Sequence, residues 1–202
     1  VAVDRARIMG ARIISNSYGS NEFSGQTAYD SYFNHPGIAY TVSSGDSGYG
    51  AQYPASSSYV TAVGGTTLTL GPNNVYISES AWAGAGSGCS AYETKPSWQQ
   101  DTLCLYRTVS DVSAVADPNT GAAVYDSVRY QGRSGWFKVG GTSLSAPLVA
   151  GVYALSGNFG GSANSLPYSA ASTSLRDVVG GSNGNCTGTY LCTAVAGYDG
   201  PT

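Results

Sequence analysis

The sequence predicts an α/β fold built on a mostly parallel sheet, and three observations carry that expectation. Residues 11–18 (ARIISNSY) and 38–43 (IAYTVS) read as strands, and each follows a helical stretch. Strands joined through helices run parallel, because a parallel pair needs a long crossover. The chain then turns through Gly140-Gly141-Thr142-Ser143-Leu144-Ser145-Ala146-Pro147 into a small, apolar run at 148–155 that suits a helix packed on such a sheet. With 202 residues, 42% of them hydrophobic, it can bury one substantial core, so 1–202 reads as a single domain.

The elements follow in order. Residues 1–10 read as the last turns of an amphipathic helix stopped at Gly10, with no cap at their start. Helix, glycine and strand make half of a βαβ unit, so a partial domain lacking its N-terminal portion is expected. Residues 22–34 read as a polar-faced helix closed by His35-Pro36-Gly37, and 53–55 as a turn. A short strand at 60–63 precedes a hairpin of 66–70 and 75–78 around Gly71-Pro72-Asn73-Asn74. Residues 82–109 look loop-rich. Strands are expected at 112–116 and 122–125 with a turn at 117–121, and 136–139 leads into the glycine pair. After Gly157 the chain looks irregular, except for a short helix near 172–176.

Composition excludes some functions. Charged residues are only 10% of the chain and the net charge is −3, with a pI of about 4.9, which leaves no basic surface for nucleic acid. No apolar run is long enough to span a membrane. Cys89, Cys104, Cys186 and Cys192 form no C-x-x-C pair and lie far from the single histidine, so zinc is not indicated. Two local disulfides, Cys89–Cys104 and Cys186–Cys192, are the natural pairing among three connectivities, and they imply an oxidising compartment.

The glycine pair lets the backbone turn sharply and leaves room for another segment to approach. Thr142 or Ser143 is then placed to cap the helix, with Pro147 near its first turn. A serine there meets free N–H groups and the positive end of the helix dipole, a setting that favours developing negative charge. On composition alone the serine is only a cap, and the aspartate of Ser43-Ser44-Gly45-Asp46-Ser47-Gly48 only a turn residue.

The two segments do not stand alone. GARIISNSYGS, SSGDSGYG, YPASSSYVTAVGGTTL, SESAW, DVSAVADPNTGAAVYD and GGTSLSAPLVAG occur in this order over nearly the whole chain, which thereby resembles the sedolisin family of serine-carboxyl peptidases. The resemblance implies a subtilisin-like three-layer fold, with Ser143 as nucleophile and Asp46 in the oxyanion hole. An ionised carboxylate only accepts hydrogen bonds, so Asp46 works there protonated, and an acid optimum is expected. Residues Ser17, Tyr18 and Gly19 match the family's substrate-flanking strand, and Ser44 and Gly45 would line the neighbouring wall. The resemblance further implies a calcium site made by Asp177 and Asp199 with carbonyls of Val178, Val195 and Gly197, a set of oxygens suited to a hard cation. Since the family's match would run past Thr202, the C-terminus also looks clipped.

The family's base is a Glu oriented by an Asp four residues later. No Glu here has that partner: Gln26, Ala83 and Ser97 stand four places after Glu22, Glu79 and Glu93. Asp4 reads as a solvated helix residue and His35 as a turn residue, so the base pair is expected upstream of this chain, and the chain alone is expected to be inactive. The full expectation is a secreted monomer made with an N-terminal propeptide and hydrolysing peptides or proteins. The alternative is a relative that binds peptide or only keeps the fold, having lost the base.

Overall fold

A computed structural model describes residues 2–157, 161–170 and 173–202. Helix α1 (Ala2–Ile8) ends before Gly10, whose φ of +93° gives the expected stop. Strands β1 (Ile13–Asn16), β2 (Ser20–Asn21), β3 (Ala39–Ser43), β4 (Gln52–Tyr53), β5 (Thr61–Leu70) and β6 (Tyr76–Ala81) follow. They are succeeded by β7 (Gly88–Thr94), β8 (Tyr106–Val109), β9 (Val112–Val115), β10 (Ala122–Tyr130) and β11 (Arg133–Val139). Helix α2 (Thr142–Ser156) and a four-residue helix α3 (Leu166–Ser169) complete the regular elements.

The main sheet is mostly parallel, as expected. β3 lies between β1 and β5 and runs parallel to both; β9 is parallel to β5, and β6 alone is antiparallel. Alternation along the strands builds two cores. Ile14, Tyr40, Val42 and Ala62 pack with Val3 of α1, Phe33, Tyr53 and Val109. Ile13, Ala39 and Val63 pack with Ala146, Val149 and Tyr153 of α2. Helix layer, sheet and helix layer together make the three-layer α/β arrangement.

Several expected elements change. The helix expected at 22–34 is a 3-10 segment over Gln26–Tyr32, begun at Gly25 with φ +89° and no side-chain cap. Thr, Asp, Ser and Tyr in that stretch are modest helix formers. The strands expected at 60–63 and 66–70 are one strand, β5. It runs straight through Gly64 and Gly65, where a Cβ would come within 2.4 Å of Ser113 Oγ and 2.5 Å of Ala116 Cβ respectively. These glycines mark close packing rather than a break. The loop-rich 82–109 contains the antiparallel pair β7–β8, bridged by Cys89–Cys104; Cys186–Cys192 is also formed. β10 and β11 extend beyond 122–125 and 136–139 into a ribbon turned by Gln131 and Gly132, both at positive φ, as a two-residue hairpin loop demands. Trp136 stands on that ribbon 69% exposed against Tyr125. Around 173–175 there are turns and a bend instead of a helix, and Ser172 lies outside the described residues.

Buried polar groups tie the layers. Arg107 and Asp111 form a fully buried ion pair with two contacts, 2.5 and 2.6 Å, and Asp111 also accepts from Ala62 N–H of β5 at 2.7 Å. A second buried group has a pH consequence. Glu93 of β7 is 2% exposed and accepts from the Gln26 amide at 2.8 Å; the same amide donates to Glu22 at 3.0 Å. Buried Asp30, which accepts from Tyr53 Oη at 3.2 Å, stands beside Glu93. Burial first, then the carboxyls of Asp30 and Glu22, push Glu93 up to about 7, against the Gln26 hydrogen bond. A carboxyl raised on folding stabilises fully below its unfolded value of about 4.3. That contribution is lost as pH rises through about 7. Glu93→Gln, uncharged at every pH, is expected to flatten the fall in stability between about pH 4.5 and 7 by on the order of 2 kcal/mol. Urea unfolding of both proteins at a series of pH values measures it; parallel pH profiles contradict it.

Candidate active site

Helix α2 positions the site. Its N-cap is Gly141, at φ +95° and ψ 159°, and its first two residues are Thr142 and Ser143. Neither hydroxyl caps the helix, contrary to expectation. The acceptor comes from far away in sequence: Asp46 Oδ1 takes the Thr142 N–H at 2.7 Å and the Thr142 Oγ1 hydroxyl at 2.9 Å. Only glycine fits at 141, because a Cβ there would lie 2.7 Å from Asp46 Oδ2 in addition to requiring positive φ. Thr142 Oγ1 also receives the Gly45 N–H at 3.1 Å, so one buried threonine joins the loop after β3 to the head of α2. The sequence showed Thr142 only as a possible cap; no local signal marks its partners 96 and 97 residues away.

Ser143 is exposed. Among the described residues, none makes a hydrogen bond to its Oγ. Pro147 falls inside α2, a full turn beyond Ser143, where it removes the N–H that would meet the Ser143 carbonyl. Ser17 Oγ takes up that carbonyl at 3.4 Å, placing residues 17–19 alongside the serine. Ser145 is buried and donates towards the carbonyls of Ala114 and Val115, both at 3.0 Å, which pins α2 to β9.

The structure thus brings Ser17, Gly45, Asp46, Thr142 and Ser143 together. Tyr18 and Gly19 continue from Ser17 towards β2, both exposed, and Ser44 is buried behind Gly45. Beyond Gly19 a cleft of about 510 Å³ opens, lined by Tyr18, Phe23, Tyr29, Tyr32, Tyr53 and Pro54. Asp4 pairs with Arg7 on α1 at 3.4 Å, and His35 Nδ1 bonds Tyr40 Oη at 3.2 Å, so both have structural partners.

The tail residues expected at a cation site also meet. Asp199, 2% exposed, accepts from Val195 N–H at 2.9 Å and from Thr202 N–H and Oγ1 at 2.8 Å. Asp177 accepts from Gly197 N–H at 3.1 Å, and Thr202 Oγ1 reaches the Val178 carbonyl at 3.3 Å. Burial, reinforced by Asp177, raises the Asp199 carboxyl above the usual range against its own hydrogen bonds. Among the described residues no cationic side chain forms an ion pair with either carboxylate, and no three His, Cys, Asp or Glu side chains cluster. The groups that meet these two carboxylates are therefore backbone N–H donors and the Thr202 hydroxyl, and the carbonyl placed beside them is that of Val178.

Known proteins resemble this chain over most of its length. The model of the subtilase family matches residues 1–176. Sedolisin of Pseudomonas sp. (strain 101) is 34% identical over 199 residues, covering 82% of this chain and 32% of that protein. Xanthomonalisin of Xanthomonas sp. (strain T-22) is 32% identical over 177 residues, covering 75% and 20%. This chain therefore spans a third or less of the length of these two relatives. The solved structure of Pseudomonas sedolisin complexed with two molecules of pseudo-iodotyrostatin superimposes with a TM-score of 0.81 at 31% identity, covering 100% of this chain and 64% of that one.

Proposed function

Because the chain belongs to the subtilase family, in its sedolisin branch, we propose that it carries the nucleophile and oxyanion hole of an acid-acting serine-carboxyl endopeptidase. The observation that carries the reading is Asp46 bonded to the first N–H of α2, beside exposed Ser143. In this reading Ser143 Oγ attacks the peptide carbonyl carbon and its proton passes to a carboxylate base. That base is the Glu of the family's Glu–Asp pair, borne on sequence preceding residue 1. Asp46 Oδ1 is already committed to Thr142, so Oδ2 holds the proton and donates it to the oxyanion, together with the Ser143 N–H. The C–N bond then breaks, the protonated base gives its proton to the leaving amine, and water hydrolyses the acyl-enzyme.

The substrate is an extended peptide lying along residues 17–19, with Ser44 and Gly45 as the opposite wall. The aromatic cleft past Gly19 suits an apolar side chain of that peptide. Two disulfides support a secreted protein. The same reading takes the whole protein as a monomer made with an N-terminal propeptide. Hydrolysis of a denatured protein by the full-length enzyme at about pH 4, absent in Ser143→Ala, tests it.

Calcium belongs to the proposal. Asp177 and Asp199, with carbonyls of Val178, Val195 and Gly197, would hold the ion and fasten the tail, far in sequence from Ser143. A ligand that binds only the folded state stabilises by mass action. Chelation is expected to lower the thermal midpoint of the full-length protein by about 5–10 °C. Asp199→Asn should remove most of that sensitivity, and a midpoint indifferent to chelator in the parent contradicts the site.

A further inference from the structure

A second cavity, apart from the peptide groove, plays no part in the proposed chemistry. It measures about 430 Å³ and is walled by the rings of Trp98, Tyr168, Tyr190 and Tyr198. It adjoins Ser110 and Asp111, just before β9, whereas the head of α2 bonds the carbonyl of Ala116 at the other end of that strand. Each tyrosine hydroxyl is already engaged. Tyr168 donates to Asp111 Oδ1 at 2.6 Å, Tyr190 to Asp101 Oδ2 at 2.6 Å and Tyr198 to the Ser110 carbonyl at 2.8 Å. The phenols are thereby fixed, and what they offer the cavity is ring surface; Tyr198 stays 37% exposed although its hydroxyl is bonded inside. Its ring stands 5.7 Å from that of Tyr168 and 6.4 Å from that of Tyr190, tilted by 43° and 56°, so the three form a curved wall.

The polar groups among these rings make a neutral set. Asp101 is the charged member of the lining, and its Oδ2 is met by Lys95 at 3.0 Å and by the Thr108 and Tyr190 hydroxyls. Its other oxygen, Oδ1, and the Trp98 indole N–H are buried without a partner among the described residues. One acceptor and one donor are thus left over in residues of a single cavity wall, where buried polar atoms are normally paired. Gln100 and Thr102, both exposed, complete the lining. The Gln100 amide N–H₂ donates to the Ser97 carbonyl, while its Oε1 and the Thr102 hydroxyl bond none of the described residues.

We propose that this cavity binds a neutral saccharide, one or two pyranose rings of a longer chain. The C–H faces of a pyranose stack on the curved tyrosine wall. Its hydroxyls, each both donor and acceptor, answer the Trp98 N–H, Asp101 Oδ1, Gln100 and Thr102 together. A hydrocarbon leaves those atoms unpaired, and an ion meets a carboxylate already neutralised by Lys95. Aromatic walls carrying a few placed polar groups, in a volume of about 300–1,000 Å³, are the usual make-up of a small-ligand site. The two unpaired atoms are screened from solvent as the wall stands, so a hydroxyl reaches them through a tilt of the partly exposed Trp98 indole. The site does not depend on the peptidase reading. It holds the protein on a polysaccharide, or holds the glycan of a glycosylated protein, away from Ser143.

The test titrates the full-length protein with maltohexaose, with cellohexaose and with a free high-mannose oligosaccharide, following heat and tryptophan fluorescence. At least one of the three is expected to bind with a Kd below about 1 mM and to change the fluorescence of the parent but not of Trp98→Phe. The double variant Gln100→Ala/Thr102→Ala is expected to bind about tenfold more weakly. Binding of either glucan assigns attachment to a polysaccharide; binding of the high-mannose chain alone assigns capture of glycosylated proteins. Both substituted residues are exposed, so the double variant is expected to keep the parent's thermal midpoint. Should it not fold, the fluorescence change, present in the parent and absent in Trp98→Phe, decides alone. No binding of any of the three by the parent, binding without a signal from Trp98, or an unchanged affinity in the folded double variant overturns the assignment. Cleavage is read in no arm, so the fate of the peptidase reading leaves this result untouched.

Discussion

Ser143→Ala is expected to lower kcat/KM of the full-length protein by about 10⁶, leaving its thermal midpoint where it was. The two halves of that expectation have separate causes. Removing the attacking oxygen leaves only binding and oxyanion stabilisation, which act on water poorly. The stability half follows from exposure: no described residue hydrogen-bonds Ser143 Oγ, and α2 is capped by Asp46 through Thr142 instead. A surface change of this kind is worth within about 0.5 kcal/mol. Initial rates at acid pH with a parallel thermal melt measure both. Loss of activity together with loss of fold would mean the serine is structural.

Asp46→Ala is expected to cost about 10²–10³ in kcat, the usual loss of one oxyanion donor, and about 1 kcal/mol of stability through the uncapped Thr142 N–H. Asp46→Asn separates donor from cap. Its carbonyl oxygen can keep both bonds from Thr142, and its amide N–H₂ then stands where Oδ2 stood. The proposed donor works only when it carries a proton, because an ionised carboxylate can only accept hydrogen bonds. As pH rises the carboxyl ionises and repels the oxyanion, so parent activity should fall towards neutrality. The amide donates at every pH, so the alkaline limb of kcat/KM in Asp46→Asn should move upward even if its maximum is lower. Superimposable alkaline limbs return Asp46 to the role of helix cap alone.

How much of this was legible in the sequence depends on the range of the interaction concerned. β1 and β3 were readable because each is a short apolar run after a helical stretch, and α2 because a glycine pair and a run of small apolar residues adjoin. β5 was split in reading because Gly64-Gly65 looks like a break until Ser113 and Ala116 are seen pressing on it. The β10–β11 ribbon was shortened because its middle, Asp126 to Arg129, carries no two-residue apolar rhythm. Ser143 and Asp46 were found through their motifs. Thr142 as a bridge was not, since that role exists only once the loop after β3 and α2 converge. The buried Arg107–Asp111 pair and the Glu93 cluster escaped for the same reason: a charged residue gives no local sign that folding will bury it.

In the proposed mechanism Ser143 forms an ester with the substrate. Mixing the full-length protein with a slowly deacylating peptide ester at about pH 4, quenching in acid and sequencing the digest by mass spectrometry tests that directly. The acyl mass is expected on the peptide containing Ser143, and none in Ser143→Ala. Turnover that proceeds with the acyl group on another residue, or with Ser143 unmodified throughout, would contradict it.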